Sequence, residues 1–216
     1  MKNVGYMLRA LCCVAIAMVL VSVASAQTTA TAAQSTGGPF GFHCGATKQA
    51  ISAQVGALKD EGVNQYSTAT APDPFPNVGY YLLTISPTQG LLKVAAETND
   101  IDTDTTGADL INQFHTIEAE LTKQFGKPTS REDALKPGSI WAGEDEWTLS
   151  YLKKERTLAT HWVFTPPNHC VTSVDLTAEV ANQTTGAILI GVDFTGYVAP
   201  PENLGKKKNT AMNTSK

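Results

Sequence analysis

Apolar positions along this chain follow two rhythms, one helical and one extended. Leu110, Phe114, Ile117, Leu121 and Phe125 recur at spacings of four, three, four and four, which places them on one stripe of an α-helix. Thr106 and Asp109 have the spacing of a capping box, Gly126 suits the position past the last turn, and Pro128 prevents continuation. An earlier helix is predicted over residues 47–58, where Thr47 can cap the start and Ala50, Ile51, Gln54, Val55 and Leu58 share one face; Gly56 weakens it. Pro72, Pro74 and Pro76 then break regular structure.

Elsewhere the period is two. The runs 78–85 (VGYYLLTI) and 91–97 (LLKVAAE) are joined by the turn sequence SPTQG and read as a hairpin. Tyr80, Leu82 and Thr84 alternate with Tyr81, Leu83 and Ile85, so both faces carry apolar groups and the strand is predicted to be central or covered on both sides. Downstream, WTLSYL (147–152) and TLATHWVF (157–164) suggest two strands around the charged stretch Lys153 to Arg156. Cys170, Thr172, Val174, Leu176, Ala178 and Val180 then alternate with a wetter set. After a turn through residues 182–186, Ile188, Ile190, Val192 and Phe194 point inward. The expectation is an α+β domain, two helices packed on a mainly antiparallel sheet in the order α-β-β-α-β-β-β-β.

One apolar run stands apart from this pattern. Leu11 to Val23 follows Lys2 and Arg9 and ends in Ala24-Ser25-Ala26, the three parts of a cleavable secretory signal over residues 1–26. Retention as an anchor is the alternative, but the run is short for a bilayer span. A lipoprotein signal would place a cysteine after the run, whereas Cys12 and Cys13 lie at its start. Residues 27–38 read as a flexible leader, 39–199 as a single α+β domain, and 200–216 as a disordered basic tail. Periplasmic or secreted localisation follows, with no stable membrane insertion after cleavage.

Charge narrows the function classes. The whole chain has 16 basic and 20 acidic residues, a net −4. Without Lys2 and Arg9 it becomes 14 against 20; setting aside Glu202, Lys206, Lys207, Lys208 and Lys216 leaves 10 against 19, or −9 for the domain. An acidic domain does not suit nucleic acid, which calls for a basic face.

Gly45-Ala46-Thr47-x-x-x-Ile51 resembles the G-M-T-x-x-x-V opening of outer-membrane-assembly lipoproteins and of the β-lactamase-inhibitor-protein-like repeat, with Ala46 where that pattern has Met. Phe125-Gly126-Lys127-Pro128 resembles the helix-ending G-x-P of the same group. The resemblance implies a unit of a helix followed by antiparallel strands. The segment from Pro39 to Trp162 also resembles uncharacterised exported bacterial proteins, for which no activity is implied.

Candidate chemistry is sparse. Cys44 and Cys170 are the thiols left after cleavage, and in an oxidising compartment they read as a disulfide; the neighbouring His43 and His169 supply zinc-type ligands as the competing reading. Asp100, Asp102 and Asp104 have the spacing of the first calcium-loop ligands, but Thr105 and Ile111 stand where Gly and Glu are needed. A wet loop before the second helix is therefore expected, with metal binding as the alternative. Glu144, Asp145 and Glu146 lie between Trp141 and Trp147; paired acids beside aromatics are the apparatus of glycan hydrolysis, against a solvated turn. Trp141, Trp147, Tyr151 and Trp162 are candidates for a ligand pocket, while His115 and His161 read as isolated structural or surface histidines.

No G-x-S-x-G, phosphate-cradling glycine loop, H-E-x-x-H or C-x-x-C occurs, and no cofactor is implied. The reading is a non-catalytic bacterial cell-envelope protein that binds a protein or peptide partner through a sheet face or edge. Its alternative is a hydrolase or small-ligand-binding protein acting on envelope polymers.

Overall fold

The computed structural model describes Gly38 and residues 40–198; the expected signal, most of the leader and the basic tail lie outside the described residues. In chain order the elements are α1 (Lys48–Val55), β1 (Lys59–Gly62), β2 (Gln65–Thr68), β3 (Val78–Ser86), β4 (Gly90–Thr98), β5 (Ile101–Asp102) and α2 (Ala108–Phe125). There follow β6 (Ser130–Leu135), a 3-10 turn (Glu144–Glu146), α3 (Trp147–Leu152), β7 (Arg156–Asn168), β8 (Val171–Asn182) and β9 (Thr185–Phe194). The nine strands form one antiparallel sheet in the order β1-β2-β3-β4-β9-β8-β7-β6. β5 continues the line of β4 along β9, pairing Ile101 with Gly186 and Asp102 with Thr185.

The α+β class and antiparallel sheet are as expected, but the element order is corrected. WTLSYL is helix α3, not a strand: Trp147 and Tyr151, four residues apart, stack with ring centroids 5.1 Å apart, the neighbour spacing of a helix. Strands β1 (KDEG) and β6 (SREDAL) escaped notice because they are the two sheet edges and almost wholly exposed. With neither face buried, no hydrophobic alternation marks them, and their charges protect open edges from pairing with another chain.

Among the described residues, the large buried side chains lie on one face of the sheet. Tyr81, Leu83 and Ile85 of β3, Val94 and Ala96 of β4, Val174, Leu176 and Ala178 of β8, and Ile188, Ile190, Val192 and Phe194 of β9 are buried. Leu110, Phe114, Ile117 and Leu121 of α2 complete this core as predicted, while Phe125 is half-buried. Each large side chain contributes about 1.5–3 kcal/mol by leaving water. Phe40 and Phe42, ahead of α1, set their rings edge-on to Tyr81 at 5.3 and 6.0 Å. Gly38, at the expected leader boundary, is already buried, and a Cβ there would meet Phe194 Cζ at 3.3 Å.

Helix α2 starts differently from the predicted capping box. Its N-cap is Gly107, left-handed at φ 71°, a conformation glycine adopts without strain. Asp104 closes the turn, accepting hydrogen bonds from Thr106 N at 2.9 Å, Thr106 Oγ1 at 2.6 Å and Gly107 N at 3.1 Å. The Trp147 ring lies against Gly107, where any Cβ would collide with it. At the other end Gly126 has φ 81°, as expected of a C-terminal stop, and its carbonyl accepts from Trp162 Nε1 at 2.9 Å.

Two further ties close the domain. Cys44 and Cys170 are joined by a disulfide across a sequence separation of 126 residues, with Cα atoms 6.4 Å apart. The bond is compatible with an extracytoplasmic protein. Among the described residues no helix is long and apolar enough to cross a membrane. The second tie is Glu118 on α2, which receives hydrogen bonds from Arg131 of β6 and Thr160 of β7.

Candidate functional site

The helices and the N-terminal aromatic segment pack on one face of the sheet, so the other face is open among the described residues. Of the two expectations for β3, the central position holds, since it lies between β2 and β4, and cover on both sides does not: Tyr80 is 39% exposed and Leu82 half-buried, while Tyr81 and Leu83 are fully buried. The ladders align the outward residues in rows across the strands. Leu82 pairs with Ala95, Ala95 with Gly191, Gly191 with Asp175, and Asp175 with His161. The next row runs Tyr80, Glu97, Leu189, Thr177 and Ala159. Ala95 and Gly191 lack bulk, so the centre of the face sinks into a depression of about 420 Å³.

The floor is apolar and the rim ionic. Lys93 Nζ lies 2.8 Å from Asp193 Oδ1 and 4.7 Å from the Tyr197 ring centroid. Burial alone would lower the Lys93 ammonium, but the hydrogen bond and charge of Asp193 outweigh it and hold the pKa above its ordinary value. His161 Nδ1 lies 2.7 Å from Asp175 Oδ1, so His161 is not the isolated histidine the sequence suggested. Partial burial, and then the nearby Glu97 charge, raise the Glu179 carboxyl above the usual range. Neither Glu97 nor Glu179 has a cationic partner among the described residues.

The residues singled out from sequence lie elsewhere. Trp147 packs at the N-terminal end of α2 against Gly107, and Trp162 at the C-terminal end under Gly126. An 18-residue helix separates those ends, about 27 Å at 1.5 Å per residue. The aromatic set therefore does not converge on one pocket. Tyr151 is structural: its hydroxyl donates to Ala178 O at 2.6 Å and accepts from Leu158 N at 3.2 Å, bridging β7 and β8 where their ladder has ended. Burial raises the Tyr151 pKa, against the opposing effect of the Leu158 hydrogen bond. Trp141 is half-buried in the loop before the 3-10 turn.

Glu144 and Asp145 are exposed on that turn, not at a strand start, while Glu146 folds back to accept from Gly143 N at 2.9 Å. Asp100 is exposed in a loop, Asp102 sits in β5, and Asp104 turns onto its own loop. Hydrogen bonds from Thr106, opposed by slight desolvation and joined by further backbone N–H groups, hold the exposed Asp104 carboxyl below its ordinary value. Among the described residues no three His, Cys, Asp or Glu side chains are grouped to hold a metal ion. Both sulfurs of the competing zinc reading are in the disulfide, and His43 and His169 are exposed beside it.

Sequence reasoning passed over Lys93, Glu97, Leu189 and Gly191. One signal was available: Gly191 interrupts an otherwise β-branched and aliphatic strand, and a strand glycine often marks close approach by another chain or ligand. A second depression, about 450 Å³, lies between the start of α1 and the 86–90 turn, but its cation, Lys48, is already folded over the Tyr66 ring at 4.0 Å. No protein-family model matches the chain, and no match was found among curated proteins or solved structures.

Proposed function

We propose that this chain is a non-catalytic cell-envelope protein, exported by the signal over residues 1–26, that binds a protein or peptide partner through the open face of its sheet. The observation that supports this reading is the face left open among the described residues, with an apolar floor inside an ionic rim. Pairing at an edge is disfavoured: β1 has four exposed residues with a register break after Asp60, and β6 exposes Arg131, Glu132 and Asp133. From β3 to β8 the depression spans three interstrand gaps, and from Lys93 to Glu97 four residues. That is about 14 by 13 Å, which fits one extended segment and falls well short of the ~800 Å² per partner of a standard protein interface.

A photo-crosslinking residue at Leu189 tests the reading, with Asn112 on the exposed side of α2 as control. A protein adduct at 189, absent at 112 and lost in Gly191→Leu, is expected in cells that export the chain. A Cβ at Gly191 meets nothing closer than 3.7 Å, so this variant fills the depression without a backbone clash. Equal adducts at both positions, or none at 189, refute it. The small-ligand or hydrolase alternative draws on a volume within the range of small-molecule sites; glycan fragments that perturb Tyr80 and Leu189 without a protein adduct would favour it.

A further inference from the structure

We propose that the segment held by this face carries a lysine or arginine whose cation sits between Glu97 and Glu179 and whose aliphatic stem lies along Leu82, Ala95 and Leu189. This deepens the partner-binding reading and rests on it. Charge complementarity on the face selects the occupant. Lys93 is paired with Asp193, and Asp175 is hydrogen-bonded to His161, which leaves Glu97 and Glu179 as the carboxylates of this face without a partner among the described residues. They lie on neighbouring rows: Glu97 pairs with Leu189, and Glu179 with Ala187, two residues along the same strand. Partial burial first, and then the Glu97 charge, raise the Glu179 carboxyl, and a cation between the two carboxylates offsets that repulsion.

The shape of the site favours a side chain over a bare ion. Calcium takes six to eight oxygens and magnesium six, whereas this end of the face offers two carboxylates above aliphatic surface. A lysine or arginine satisfies both at once, covering the apolar floor with methylenes and leaving its charged head at the rim. An acidic or wholly apolar segment would leave the two carboxylates uncompensated.

The test uses the full exported chain, isotope-labelled, titrated with a synthetic heptapeptide bearing three central lysines and with its glutamate counterpart. The lysine peptide should perturb the backbone signals of Leu82, Ala95, Leu189 and Gly191 saturably, and the glutamate peptide should not. Glu97→Gln with Glu179→Gln should weaken binding about tenfold or more, and Gly191→Leu should abolish it. Unchanged affinity in the double amide variant, or perturbation centred elsewhere, overturns the proposal. If deleting residues 199–216 alone shifts the same four signals, the chain's own lysines are the occupant and the partner assignment falls. A Leu189 adduct that persists at full yield in the double amide variant would leave the open-face reading standing and remove only the cationic one.

Discussion

Replacing Glu118 by alanine removes the carboxylate that fastens α2 to β6 and β7. Its Oε1 accepts from Arg131 Nε at 2.5 Å and Thr160 Oγ1 at 2.7 Å, and its Oε2 lies 3.3 Å from His115 Nδ1. Arg131 and His115 side chains are more than half exposed and regain water, so each loss amounts to about 0.5 kcal/mol. Thr160 is 1% exposed, and its orphaned hydroxyl adds about 1–3 kcal/mol. The expected total is about 2–4 kcal/mol, read by denaturant unfolding, or a drop of roughly 5–15 °C in Tm for a domain of this size. Adding Thr160→Val should recover part of this loss, because the orphan is then gone. Acid gives an independent check. Burial alone would raise the Glu118 carboxyl, but hydrogen bonds from Thr160, Arg131 and His115 and the Arg131 charge outweigh it, leaving the pKa below its ordinary value. Its contribution is therefore fully present above about pH 4.3, the unfolded value, and fades as pH falls through the lower folded value. A Glu118→Ala loss under about 0.5 kcal/mol, or a gap from the parent that stays constant to pH 3, would refute the assignment.

Two further perturbations follow from the fold. Cys44→Ser with Cys170→Ser should lower stability by about 2–5 kcal/mol, since the bridge closes a separation of 126 residues; two titratable thiols in the unreduced, unfolded parent lacking residues 1–26, and with them Cys12 and Cys13, would contradict the bond. Gly107→Ala should destabilise by about 2 kcal/mol or more, because φ is 71° and the new methyl meets Trp147. Loss of Trp147 near-ultraviolet dichroism should accompany it, and an unfolding midpoint equal to the parent's would show that the turn can relax.

Legibility in the sequence tracked one-sided burial. The α2 stripe, Val174, Leu176 and Ala178 of β8 and the inward positions of β9 were read correctly because buried and less buried residues alternate there at the proper period, whereas at the start of β8 a register shift buries Val171 in place of Cys170 and Thr172. Where burial is lacking, as in β1 and β6, the strand pairs through backbone groups and leaves no hydrophobic trace. Where the element is short, period fails differently. WTLSYL offers six residues, and its β-rich composition outvotes the single four-residue aromatic spacing that makes it α3. The start of α2 was misplaced because Trp147 is 40 positions from Gly107 in the chain yet packs directly against it, so a tertiary contact fixes a local cap.

The candidate site was harder to read for a related reason. Sequence directed attention to concentrations of acids and aromatics, but side-chain density along the chain says little about convergence in space. Glu144, Asp145 and Glu146 are adjacent because they share a 3-10 turn. Glu97 and Glu179 stand 82 positions apart and become neighbours only through the order β4-β9-β8. The same order explains why the outer face dips at its centre: Ala95 and Gly191, small residues of two different strands, face each other in one ladder. Tyr80 and Leu82 then make sense as well. They looked like evidence of a second covering layer, yet they lie on the open side. An apolar group on the open face of a one-sided sheet is unused by the fold, and its burial is left for whatever binds there.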